Sequence, residues 1–146
     1  MEGKLILLVE DDPDDEILTL RALRKTQVRH EVVVAHDGAE ALDYLFAGGG
    51  YAGQCPARLP DLVLLDLKLP KVDGREVVRR LRADQRTRPL PVVMFTSSRE
   101  RRDILDSYCC GANSYVHKPV DFAQLLEAIR QLALYWLDLN EEPPEG

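Results

Sequence analysis

The sequence predicts a doubly wound α/β fold, (βα)5 in chain order, and two observations carry that prediction. Five short apolar runs recur along the 146 residues without the strict alternation of a half-solvated sheet, as strands of a parallel sheet covered on both faces do. The segments between them repeat apolar residues at helical spacing, so strand and helix alternate and right-handed crossovers follow.

In order, the first run is LILLV (Leu5 to Val9), followed by a helical segment carrying Ile17, Leu20 and Leu23. EVVVA (Glu31 to Ala35) precedes Leu42, Leu45 and Phe46; LVLLD (Leu62 to Asp66) precedes Val77, Val78 and Leu81. PVVMF (Pro91 to Phe95) precedes Ile104, Leu105 and Tyr108. SYVH (Ser114 to His117) leads to the longest stripe, Phe122, Leu125, Leu126, Ile129, Leu132, Ala133 and Trp136. Each run reads as a strand buried on both faces, each stripe as a helix, and the last stripe, Phe122 through Trp136, as the face that docks on the sheet. Two segments stand outside the alternation: the Gly- and Pro-rich Ala47 to Asp61, expected as a surface loop, and a polar, frayed tail from Asp138 to Gly146. No linker composition divides the chain, so residues 1–146 are expected to form one domain with its core at about 4–137.

Composition narrows the function classes. A net charge of -6, with no Lys/Arg stripe interleaved with aromatics, argues against direct nucleic-acid binding. No apolar run reaches membrane-span length and no signal-peptide pattern opens the chain, so the expected location is cytoplasmic, with no membrane partner. Cys55, Cys109 and Cys110 lack metal or redox spacing, and His30, His36 and His117 share no face. Gly48 to Gly50 ends a helical segment and lacks a following Lys-Ser/Thr, so it is no phosphate cradle.

Doubly wound sheets bind ligands at the carboxyl edge of their strands. There the first run ends in Glu10 and Asp11, the third in Asp66, the fourth in Thr96 and Ser97, and the fifth in Lys118 and Pro119. Acids and hydroxyls at strand ends commonly cap the next helix, but that explanation would have to apply at four strand ends in succession. The dense acidic stretch LLVEDDPDDE then divides. Glu10 and Asp11 belong to the edge; Asp12 reads as an N-cap, Pro13 as the first helical residue, and Asp14, Asp15 and Glu16 as first-turn acids favoured by the helix dipole.

LLVEDD, LVLLDLKLPKVDG, VVMFTSS and SYVHKP, in this order and spacing, resemble the receiver domain of two-component response regulators. The resemblance spans about Leu5 to Trp136. It implies a flavodoxin-like parallel sheet in order 2-1-3-4-5, phosphorylated on aspartate by a sensor histidine kinase. It places the phosphoacceptor at Asp66, metal-binding acids at Glu10 and Asp11, the switch hydroxyl at Thr96, the phosphate-binding amine at Lys118 and the switch aromatic at Tyr115. The implied cofactor is Mg²⁺, a hard oxygen-seeking ion, on Asp11, Asp66 and the backbone carbonyl of Lys68, with Glu10 mostly through water. Gly74 would close the loop after Asp66. The protein would then be a phosphoacceptor rather than an enzyme acting on external substrates. The Ala47 to Asp61 loop, LKLPKVDGREV and ALYWL further resemble stand-alone regulators paired with bacterial phytochrome kinases.

Rival readings lack a needed residue. A Mg²⁺-dependent phosphohydrolase wants an acid two residues after its nucleophile, where this chain has Lys68. A flavin-binding domain wants a Ser/Thr/Gly phosphate loop after the first strand, where this chain has carboxylates. Leu134, beside Glu127, Arg130 and Gln131 on the polar side of the last helix, and Tyr135 on its flank adjoin the family's switch face with Ile104 and Tyr108. Together they predict a symmetric homodimer through the fourth-helix, fifth-strand and fifth-helix face.

Overall fold

The computed structural model describes residues 3–46 and 58–144. Strand β1 (Lys4–Val9) leads to α1 (Pro13–Arg24), β2 (His30–Ala35) to α2 (Gly38–Phe46), β3 (Leu62–Leu65) to α3 (Gly74–Ala83), β4 (Val92–Thr96) to α4 (Arg101–Cys110), and β5 (Ser114–His117) to α5 (Phe122–Leu134). A single π turn, Tyr135–Leu139, continues α5. The five strands form one parallel sheet in the order β2-β1-β3-β4-β5. Most of the Ala47 to Asp61 loop, with Cys55 and Gly48 to Gly50, lies outside the described residues.

Side chains alternate across each central strand, so the sheet serves two separate cores. Leu7 and Val9, Val63 and Leu65, and Val92 and Met94 face the side covered by α2 and α3, with Leu42, Leu45, Val77, Val78 and Leu81. Ile6 and Leu8, Leu62 and Leu64, and Val93 and Phe95 face α1 and α5, with Ala22, Leu23, Leu125, Ile129 and Ala133. That two-sided burial is why the central runs read as continuously apolar; each fully buried Leu or Val contributes about 1.5–3 kcal/mol. Continuing the alternation places Thr96 with Met94 on the α3 side of the sheet, and Tyr115, paired with Met94 across β4 and β5, packs against the same core.

Several expectations need correction. β2 and β5 are the sheet edges and are only half-buried, since each has a neighbouring strand on one side alone. Ile17 lies on the outer surface of α1, whose buried arc is Thr19, Ala22 and Leu23. In α4 the helical stripe is not a core face: Leu105 is 61% exposed, Tyr108 48% and Ile104 half-buried, while the buried residues are Asp103 and Ser107. The tail is tied down as well. Glu142 pairs with Lys4 Nζ at 2.8 Å, raising the lysine pKa through that hydrogen bond.

Local chemistry sets the helix ends that matter for the site. Asp12 caps α1, its Oδ1 accepting the N–H groups of Asp14 (2.8 Å) and Asp15 (3.3 Å), with Pro13 at the first helical position. Asp73 and Asp121 cap α3 and α5. Gly111, at φ 113°, ends α4 in the left-handed region that a side chain avoids.

Candidate functional site

The carboxyl ends of β1, β3, β4 and β5 bring Glu10, Asp66, Thr96 and Lys118 to one edge, as parallel strands must. Lys118 is the centre of the cluster. Its ammonium, almost wholly buried, donates to Glu10 Oε1, to Asp66 Oδ2 at 3.1 Å and to Asp15 Oδ2 at 3.2 Å. The other Asp66 oxygen accepts the Leu67 N–H at 2.7 Å, so the Asp66 carboxylate is fixed from both sides. Gly74 makes that possible: its N–H donates to the Leu67 carbonyl at 2.9 Å, and a Cβ at position 74 would run into the backbone oxygens of Asp66 and Leu67.

Electrostatics follow from several carboxylates facing one ammonium. Burial pushes the Glu10 carboxyl up to about 7, against the lowering pull of its bond from Lys118, and the neighbouring Asp66 charge adds to the rise. Burial alone would lower the Lys118 ammonium, but the Asp66 and Glu10 carboxylates more than offset it and hold its pKa above the ordinary lysine value. One added cation fits this arrangement. Glu10, Asp11 and Asp66 each offer a carboxylate oxygen, and these oxygens lie within 4.8 Å of one another. They are hard donors of the kind a small divalent ion selects.

The predicted switch pair sits together beside this cluster. Thr96 is buried at the end of β4, its Oγ1 accepting the Ser98 N–H at 3.4 Å, while the Tyr115 hydroxyl donates to the Ser98 carbonyl at 2.9 Å. Burial raises the Tyr115 phenol. Lys68, two residues after Asp66, is exposed. Ile104, Tyr108, Leu134 and Tyr135 are outside this cluster, on α4 and at the end of α5.

Two features escaped the sequence reading. Asp15, assigned only to the helix dipole, also reaches Lys118. Ser98 joins the switch loop to the rest of the molecule: its Oγ donates to the buried Asp103 at 2.6 Å, and Arg75 of α3 contacts Asp103 at 3.4 Å, Asp73 at 3.0 Å and Asp106 at 3.6 Å. Sequence periodicity gave no signal for it, because the apolar stripe of α4, Ile104, Leu105 and Tyr108, lies off the face that Asp103 occupies. The histidines are scattered as expected: His36 contacts Glu16 at 2.9 Å, His30 the Val28 carbonyl at 2.8 Å, and His117 Nδ1 accepts from Arg99 at 3.2 Å.

Fold and edge together define a doubly wound α/β domain with carboxylates, a hydroxyl and an ammonium gathered at its carboxyl edge, and comparison with known proteins names the family. The response regulator receiver domain matches residues 6–130, and the chain belongs to that family. It is similar to the response regulator Rcp1 of Synechocystis, 34% identical over 135 residues covering 92% of this chain and 90% of that one. Rcp1 has been solved in a Mn²⁺-bound form that superposes with a TM-score of 0.87 at 33% identity, over 97% of this chain and 99% of that one. The phosphorylated cyanobacterial phytochrome response regulator RcpA superposes at 0.89 with 40% identity, over 97% and 99%. The bacteriophytochrome response regulator AtBRR is 53% identical with a TM-score of 0.76, over 97% and 100%.

Proposed function

We propose that this protein works as a stand-alone response regulator that accepts a phosphoryl group on Asp66 from a sensor histidine kinase in a Mg²⁺-dependent reaction. It then signals through the surface formed by α4, β5 and α5. The observation that carries the reading is the convergence on one edge of a fixed carboxylate, Asp66, a buried ammonium, Lys118, and two further acids, Glu10 and Asp11. The likeness to AtBRR and RcpA supports a phytochrome-type kinase as the partner.

Glu10, Asp11 and Asp66, with the Lys68 carbonyl, would hold the cation, which when bound neutralises charge on the phosphoryl oxygens. An Asp66 oxygen attacks phosphorus, the donor's bond to phosphorus breaks, and the phosphoryl group ends on the aspartate. Lys118 exchanges its bond to Asp66 for one to a phosphoryl oxygen, and its positive charge persists across the physiological range. Thr96 turns its hydroxyl toward the new anion. The loop it begins carries Ser98, so Tyr115 responds to the same movement.

Output passes to a second copy of the chain. Leu105, Tyr108, Leu134, Tyr135 and Leu139 are exposed on the elements flanking the β5 edge, and a homodimer covers them. The net charge of -6 and the absence from the sequence of a Lys/Arg stripe interleaved with aromatics fit signalling by protein contact in the cytoplasm rather than by direct nucleic-acid binding. Among the described residues no helix is long and apolar enough to cross a membrane.

Incubation with Mg²⁺ and acetyl phosphate, followed by digestion and mass mapping, tests the core of this reading. The expected result is one phosphoryl adduct on Asp66, lost in Asp66→Asn. An adduct elsewhere, or none, overturns it.

A further inference from the structure

We propose that Asp15 is a positioning residue for Lys118, holding the ammonium on the α1 side of the site and restraining, by its charge, the uptake of an anionic phosphoryl group. The proposal builds on Asp66 as the phosphoacceptor. Lys118 has three N–H donors, and three carboxylates take them: Glu10, Asp66 at 3.1 Å and Asp15 at 3.2 Å. Their places differ. The Glu10 side chain is 2% exposed and forms the floor, that of Asp66 is 14% exposed, and that of Asp15 is 41% exposed at the mouth.

Because Asp15 and Asp66 bind one nitrogen, their bonded oxygens are no further apart than the two bond lengths combined. A phosphoryl group on Asp66 therefore arrives close to the Asp15 carboxylate and is repelled by it. It also needs an N–H of Lys118, on which Asp15 retains a hold. Asp15 is itself fixed, since its backbone N–H is held by the Asp12 cap at 3.3 Å and α1 packs along α5. A helix-dipole role alone would not require this residue, because Asp14 and Glu16 occupy the same first turn.

Asparagine keeps the shape and an acceptor oxygen at this position while removing the charge. The test compares wild type, Asp15→Asn and Asp15→Glu for the initial rate of Asp66 modification by acetyl phosphate with Mg²⁺, and for the affinity of inorganic phosphate with Mg²⁺. Screening at the open mouth limits the effect, so the Asn protein should be modified about three- to tenfold faster and bind phosphate more tightly by a similar factor. The Glu protein should return to the wild-type values. Unchanged rate and affinity, with or without a lower unfolding midpoint, would leave only a helix-dipole role and overturn the proposal, as would a slower Asn protein. If wild type acquires nothing on Asp66, the phosphoacceptor reading falls, and the phosphate affinities alone decide the role of Asp15.

Discussion

At the scale of the residue, burial leaves Glu10 resisting ionisation, with the Asp66 charge adding to the effect and the Lys118 ammonium opposing it. Its folded pKa of about 7 exceeds the ordinary value of 4.5, so the folded state holds this proton more tightly than the unfolded chain does. The stabilisation is complete below that ordinary value and is lost as pH rises through about 7. In chelator, the urea midpoint of wild type should fall between about pH 5 and about pH 8, and Glu10→Gln should remove the Glu10 part of that fall. Identical pH profiles for the two proteins would show that Glu10 ionises normally. The residues gathered here were legible in the sequence because each ends an apolar run, and parallel strands carry their ends to one edge. Asp15 was not, because a helical residue reaches the site by the packing of α1, which no local pattern reports.

At the scale of the element, α3 and α4 show how far periodicity reads. Val77, Val78 and Leu81 of α3 are fully buried at the expected spacing. The Ile104, Leu105 and Tyr108 stripe of α4 was equally helical in period, yet α4 buries Asp103 and Ser107 instead. The reason is physical: Asp103 is balanced by Arg75 and Ser98, and Ser107 donates to the Asp103 carbonyl at 2.7 Å, so polar groups are satisfied inside while Leu105 and Tyr108 face out. Arg82 of α3 is a second such element-level tie. Its guanidinium donates to the carbonyls of Gly111 (2.9 Å), Arg88 and Leu90 (2.7 Å each) and to Asn113 Oδ1 (2.8 Å), binding the end of α4 and the approaches to β4 and β5. No carboxylate pairs with it among these acceptors, and burial lowers its pKa. Arg82→Ala should cost about 2–3 kcal/mol in urea unfolding, and Arg82→Lys, which cannot span the four acceptors, should recover only part of it. A loss below about 0.5 kcal/mol would show that water replaces the guanidinium without penalty.

At the scale of the whole molecule, the outward apolar face of α4 and the end of α5 ask for a cover, and self-association is the proposed one. Wild type should sediment as a dimer at high micromolar concentration and Leu134→Glu/Tyr135→Glu as a monomer, the two unfolding alike only when diluted until both are monomers, because both side chains are exposed in the single chain. Monomeric wild type, with and without acetyl phosphate, would assign the face to a different protein. Strand order and the two-core arrangement followed from the alternating runs and the family motifs, whereas the return of the tail onto β1 did not, since Asp138 to Gly146 carries no periodic signal. That return has a practical consequence. Lys4 opens β1 and Glu10 follows its end, so the Lys4 to Glu142 contact lies one strand length, about 20 Å, from the Lys118 cluster. A fluorophore, affinity handle or surface tether attached beyond either residue hangs from the opposite rim of the sheet, leaving the edge with Asp66 and Lys118 open to the proposed phosphodonor. With the two positions in direct contact, a short peptide bridge between them would close the backbone into a ring that could be reopened elsewhere.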